Sequence, residues 1–385
     1  MKPRLIPRFN YTYNFSDYIF SALLLSYYKH DNYQLYTFFN TENIFFTNYG
    51  RTGLRLILSA LGLKKNSKVG VQAYNCQTVF QAIVKAGYQP VFIDINKEFT
   101  LDPGDLGKKV ENIDALLVNH TFGIPADIDK IKSICHNRPI IEDCAHSLFS
   151  KYKSLPTGIL TDASFFSFGY GKYPSIGNGG FVIINNSKYL PSFKLLYNQL
   201  LRPRVSDELL NVHKNILWSF MFKRPVYGIL SFPVGKKLDK KFDFIDKYKF
   251  REQTGFYSNT NLFLKKFEKY LRMNEKQCRN GILLTNLLKE HLKCITDTAI
   301  TKLNYYIFPV LVENRDFVYN KLLKKNIETG KHFALSLLWA SKFGYKKKSC
   351  PNTESVINKI LTIPVHFTLN TSQIHRIAKK VLNSV

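Results

Sequence analysis

The stretch Pro139–Ile184, PIIEDCAHSLFSKYKSLPTGILTDASFFSFGYGKYPSIGNGGFVII, decides the fold. Its opening run, Pro139 to Cys144, reads as a buried strand that closes on a carboxylate, Asp143. Two more short strands follow, Ala163 to Phe168 and Gly180 to Ile184, with a glycine-rich turn between them. Open α/β folds place ligands at the C-terminal edge of the sheet, so an acid at that strand end sits where chemistry is expected.

The same alternation extends upstream. Val69 to Tyr74, Pro90 to Ile95 and Ala115 to Phe122 read as strands. The helices between them are Val79 to Ala86, ended by Gly87, and Asp127 to Cys135. Strands alternating with helices predict an α/β layer whose sheet is mostly parallel, with helices on both faces. From Lys188 to Tyr270 the pattern turns helical and irregular, broken at Pro203, Pro225 and Pro233. One long helix is expected from Leu262 to Leu288, then a strand (Tyr305 to Val312), a helix (Arg315 to Lys325) and a last helix (Thr371 to Leu382). This predicts a large α/β domain over 1–255, with an N-terminal helical segment, and a smaller α+β domain over 256–385.

Composition narrows the class. Of 385 residues 45% are hydrophobic and 22% charged, which suits a packed core and excludes a disordered or fibrous chain. The six cysteines are scattered without a CxxC pair, so neither a metal site nor a disulfide framework is expected, and a reducing, cytoplasmic location fits. No apolar run approaches the roughly 18–20 residues of a membrane span; Tyr18 to Leu25 reads as a helix packed on the body. The net charge of +27 attracts anions, yet the lysines are spread along the chain, densest at Lys236-Lys237 with Lys240-Lys241 and at Lys346 to Lys348. Without an RNA- or DNA-binding signature this reads as a solvated surface, and no specific nucleic-acid partner is expected.

Three segments carry the chemistry. Ser167-Phe168-Gly169-Tyr170-Gly171-Lys172 follows a strand with a glycine-flexed turn that can present Lys172 inward. Pyridoxal phosphate needs an amine for its Schiff base, a carboxylate at its ring nitrogen and donors for its phosphate; Lys172, Asp143 and Ser167 supply one of each. Asn48-Tyr49-Gly50-Arg51-Thr52-Gly53-Leu54 opens a helix with apolar residues at 54, 57, 58 and 61. A glycine-rich helix start offers backbone N–H groups and the positive end of the helix dipole to an anion, and Thr52 can add a hydroxyl. Taken singly, each has an ordinary alternative: a surface lysine, a strand-end acid, a capped helix.

Together these segments resemble the DegT/DnrJ/EryC1/StrS family of nucleotide-sugar aminotransferases, with the fold-type-I, pyridoxal-phosphate-dependent architecture. The resemblance runs through Gly50-Arg51-Thr52, GYQPVFIDI (87–95), VNHTFGIPADID (118–129), the Asp143 strand, the Lys172 turn with Gly177-Asn178-Gly179-Gly180, NIETGKHF (326–333), Cys350-Pro351-Asn352 and Ile363-Pro364-Val365-His366. It implies that Lys172 holds the cofactor and then moves the substrate proton, and that Asp143 stays ionised against the ring nitrogen. It also implies that Ser167 and the backbone at Arg51 and Thr52 bind the phosphate, and that His146 stands beside the phenolic oxygen. A homodimer is implied, as are an amino donor such as glutamate and a keto-sugar on a nucleotide diphosphate, feeding surface glycans or related amino sugars.

The chain departs from the family pattern in places. Cys76 stands where an aromatic residue usually stacks on the ring, with Tyr74 as the nearby aromatic candidate, and Asn178 replaces an acid. The family's asparagine-tyrosine-arginine segment is not legible near Gly255 to Thr260. His332 and His366 match family positions in the small domain without an assigned role beyond structure or substrate contact. Two other readings share the fold: an inactive or regulatory member, and a sugar dehydratase, whose relatives carry histidine in place of the lysine.

Overall fold

The computed structural model describes residues 2–25, 32–239 and 251–385. The expected basic pair Lys240-Lys241 lies outside those residues. A seven-stranded sheet forms the centre: β1 (Ile44–Thr47), β2 (Lys68–Gln72), β3 (Gln89–Ile93), β4 (Ala115–Asn119), β5 (Ile140–Asp143), β6 (Ala163–Ser167) and β7 (Gly180–Ile184). Their order across the sheet is β1-β7-β6-β5-β4-β2-β3. β7 is antiparallel to both its neighbours, and the remaining pairs are parallel. β4, β5 and β7 are buried at every residue, which explains the near-continuous apolar sequence of β4 and β7. β1 was not expected, because IFFT lies in an aromatic-rich segment without period-two alternation.

Helix Gly50–Ala60 packs its Leu54, Ile57, Leu58 and Leu61 side against the sheet beside helix Gln77–Lys85. It comes close because Gly53 has no side chain: a Cβ there would lie 2.5 Å from Val182 Cγ2. The helix expected from Asp127 starts at Ile128, with Asp127 as its cap accepting from the Lys130 N–H.

A second, antiparallel sheet pairs β8 (Phe308–Leu311) with β9 (Ile360–Ile363), and helices Phe267–Leu288, Arg315–Lys324 and Thr371–Leu382 surround its core. Segments on both sides of residue 255 serve each core. Ile6 and Tyr74 join the second core, while Ala340 and Cys350 join that of the large sheet.

Three boundaries differ from expectation. The long helix is two, Tyr257–Lys265 and Phe267–Leu288, meeting at Lys266, whose ammonium pairs with buried Asp17 at 2.6 Å. The strand expected from Tyr305 starts at Phe308, since Tyr305 adopts φ 50°. The strand expected to run to Phe122 ends at Asn119, and Phe122 takes φ 62° in a tight turn.

β5 ends in two acids with opposite fates. Glu142 is fully buried and accepts hydrogen bonds from the N–H groups of Gly158, Leu160 and Thr161 (2.8, 2.8 and 3.0 Å), with His120 Nε2 at 2.9 Å. It fastens the 158–161 loop behind the sheet and leaves Asp143, one residue on, to the other face. Replacing Glu142 by alanine strands these donors, so Glu142→Ala should lose about 3 kcal/mol of stability or more. A urea melt with an unchanged midpoint would contradict this.

Candidate active site

The C-terminal ends of β2, β4, β5 and β6 converge on one cavity at the edge of the large sheet. Its lining includes Gly50, Arg51, Asn75, Cys76, Asn119, Asp143, His146, Ser167, Lys172 and Phe333. Six of the seven expected site residues are thereby brought together from four separate segments. Thr52 is the exception. Its hydroxyl donates to Asn48 Oδ1 (2.8 Å), its N–H donates to the Tyr49 carbonyl (3.1 Å), and its side chain is fully buried. The helix start therefore faces the cavity through Gly50 and Arg51.

Lys172 lies in a turn bent at Gly171, which has φ 69°, a region that favours glycine. The turn is held at both ends. Lys172 N–H donates to the Gly169 carbonyl (2.9 Å), Tyr306 donates through its hydroxyl to the Gly171 carbonyl, and Tyr173 does so to the Tyr270 carbonyl (2.6 Å). Gly180 closes the following loop onto β6; a Cβ there would lie 2.2 Å from the Phe166 carbonyl oxygen and 3.1 Å from Gly50 N. Ser167, Gly50 and the loop are thus locked against one another. Behind the loop, Asn259 donates to the Asn178 carbonyl and accepts from Asn215 (3.0 Å), whose Oδ1 takes the Tyr11 hydroxyl (3.0 Å). The Gly255–Thr260 segment, silent as a motif, braces the glycine loop.

Burial dominates the electrostatics. It pushes the Asp143 carboxyl above its ordinary value, opposed by the Lys172 amine, by the N–H that Ala145 donates (3.0 Å) and by His120. Burial pulls the Lys172 amine below its ordinary value, opposed by Cys76 and Asp143. The neighbouring histidines are held neutral: burial and Lys172 drive both His146 and His332 well below the usual histidine range. The expectation of an ionised Asp143 therefore depends on a positive group beside it, which Lys172 supplies in part.

The aromatic candidate Tyr74 is elsewhere. It is fully buried in the second core, with its hydroxyl donated to the His332 carbonyl (2.7 Å). Cys76 lines the cavity and carries no ring; its Sγ lies 3.2 Å from Thr78 Oγ1. Phe165 and Phe333 are the phenyl rings that line the cavity, and Phe333 is stacked on His146 with centroids 5.7 Å apart and planes 22° apart. Phe333 escaped the sequence reading because it comes from the second lobe; its only signal was its place at the end of NIETGKHF. Asn75 and Asn119 were also missed, and Asn75 Nδ2 and His146 Nε2 are buried without a hydrogen-bond partner. Orphaned donors beside a half-buried amine and a buried acid fit a polar aromatic cofactor of the pyridoxal phosphate kind.

The profile of the DegT/DnrJ/EryC1/StrS aminotransferase family matches residues 31–212 and 259–382. GDP-perosamine synthase of Escherichia coli O157:H7 is 33% identical over 156 residues, which cover 40% of this chain and 41% of that one. A UDP-4-amino-4,6-dideoxy-N-acetyl-beta-L-altrosamine transaminase of Campylobacter jejuni is 26% identical over 84% of this chain and 80% of its own. The PLP form of Streptococcus pneumoniae Spr1654 superposes with a TM-score of 0.78 over 99% of this chain and 98% of that one, at 16% identity, a likeness of fold.

A lowered lysine pKa leaves more neutral amine at any given pH. Borohydride trapping of pyridoxal phosphate on the cofactor-free protein should therefore label Lys172 at pH values where exposed lysines are protonated. Peptide mass spectrometry across pH checks this, and labelling that tracks the ordinary lysine value contradicts it.

Proposed function

The chain belongs to the DegT/DnrJ/EryC1/StrS family of pyridoxal-phosphate-dependent aminotransferases, and from that premise we propose that it transfers an amino group from glutamate to a keto-sugar carried on a nucleoside diphosphate. The observation that carries this reading is the placement of the Lys172 amine and the buried Asp143 carboxylate in the lining of one cavity beside a helix start. The nucleotide-sugar products named for two relatives support the acceptor class. Such a product would enter surface-glycan or related amino-sugar synthesis. The six free cysteines suit the reducing cytoplasm. Among the described residues no helix is long and apolar enough to cross a membrane. A homodimer is the assembly we propose.

Pyridoxal phosphate, when bound, supplies an aldehyde that condenses with amines and a ring that takes up negative charge from the neighbouring carbon. Around it each residue has a distinct task. Lys172, anchored by Gly169, Tyr173 and Tyr306, would hold the cofactor through its amine and would serve as the base that moves the substrate proton. Asp143, one residue beyond the fastened Glu142, holds a proton on the ring nitrogen. Ser167 and the Gly50-Arg51 helix start receive the phosphate through hydroxyl, backbone N–H and helix dipole. His146, kept neutral by burial, offers Nε2 as an uncharged hydrogen-bonding group, and Phe333 covers it from the second lobe. The intact lysine favours amine transfer over the dehydratase reading.

Two variants test the assignment. Lys172→Ala should abolish the visible absorbance change that glutamate causes in the purified enzyme and lower turnover by about 10²–10⁴-fold, the size of a lost acid–base group. Asp143→Asn should retain the fold and lose activity on the same scale. Wild-type protein that binds the cofactor yet exchanges no amine with glutamate or other amino acids would overturn the proposal.

A further inference from the structure

Lys172 lines two recesses and is the one residue they share. The first holds Asp143, Ser167 and the helix start; the second is lined by Arg8, Tyr170, Tyr306, His332 and Thr362, among others. Given the function proposed above, this second recess offers substrate a way to the Lys172 amine. The lining there contains two cations, Arg8 and Lys172, and no carboxylate.

Arg8 is built to meet an anion. Its main-chain N–H donates to Glu328 Oε2 (3.0 Å), and its Nε lies 3.7 Å from Glu328 Oε1. Glu328 is itself bound from below by the Tyr227 hydroxyl (2.6 Å). The guanidinium also rests 5.2 Å from the centre of the Phe9 ring. Its base is thus fastened, while the side chain remains 44% exposed. Gly330 leaves the necessary room: a Cβ there would lie 3.1 Å from Arg8 Nη1 and 2.5 Å from Thr362 Oγ1. Across the recess, the buried Nε2 of His332 has no hydrogen-bond partner.

We propose that Arg8 is the specificity-determining residue that receives the α-carboxylate of the amino donor, with His332 as the neighbouring hydrogen-bonding group. A planar guanidinium pairs with a carboxylate through two parallel hydrogen bonds, which fixes direction as well as distance. The inference rests on the amine-transfer reading. It adds a recognition element that comes from the extreme N-terminal segment, before the family match begins at residue 31.

The test separates the two half-reactions. Single-turnover reaction with L-glutamate, followed by cofactor absorbance, should need about tenfold more glutamate for half-maximal rate in Arg8→Gln, with a limiting rate close to wild type. Arg8→Lys should recover part of the loss, and thermal melts should show both variants folded. Unchanged glutamate dependence overturns the proposal, as does a shift confined to the keto-sugar half-reaction, which would assign Arg8 to the diphosphate. If wild type exchanges no amine at all, the functional reading fails separately. Calorimetric binding of 2-oxoglutarate then decides Arg8: weaker binding in Arg8→Gln sustains the carboxylate site, and equal binding overturns it.

Discussion

A half-buried lysine amine beside a buried carboxylate is the constraint on which this structure turns. Desolvation acts against both ions, raising the proton affinity of Asp143 and lowering that of Lys172, and each offsets part of the other's cost. Burying the Asp143 charge without such a neighbour would be costly. The surrounding architecture keeps the pair in place: Asp143 by the parallel register of β5 and the Ala145 N–H, Lys172 by a glycine-bent turn anchored through two tyrosine hydroxyls.

The rest of the sheet edge serves that pair. Glu142 ties the loop behind β5 and so fixes which face Asp143 occupies. His120, Glu142 and Cys144 lie close enough to suggest a metal site, yet three backbone N–H groups and His120 already engage the Glu142 oxygens. Its role is that of a fastener. Gly53 and Gly180 bring a helix start and a loop within contact of β6, placing N–H groups and Ser167 at one rim. The second lobe closes the opposite rim with Phe333 and His332, and the N-terminal strand of chain threads between the lobes, where Ile6 bridges to Ile327.

Much of the layer was legible because buried parallel strands must be apolar and must end in turns, and PIIEDC and ASFFS obey both. Lys172, Asp143 and Ser167 were legible because they stand at fixed offsets from those strand ends, and His146 through the family resemblance. What escaped detection has a common cause. β1, the break at Lys266 and the left-handed turn at Tyr305 are set by partners distant in sequence: Val182 and its neighbours, Asp17 and the second core.

The sequence by itself determined the alternation of strands and helices, the acid at a strand end and the lysine on a glycine turn, since each is written in local periodicity and spacing, and its motifs carried the resemblance to the family. Only the tertiary structure decided that Thr52 is spent on Asn48, that Tyr74 packs into the other core, that Phe333 covers His146, and that Arg8 reaches the far side of Lys172. Those outcomes depend on which distant segments compete for the same hydrogen bonds and the same space, and no single stretch of chain contains that information.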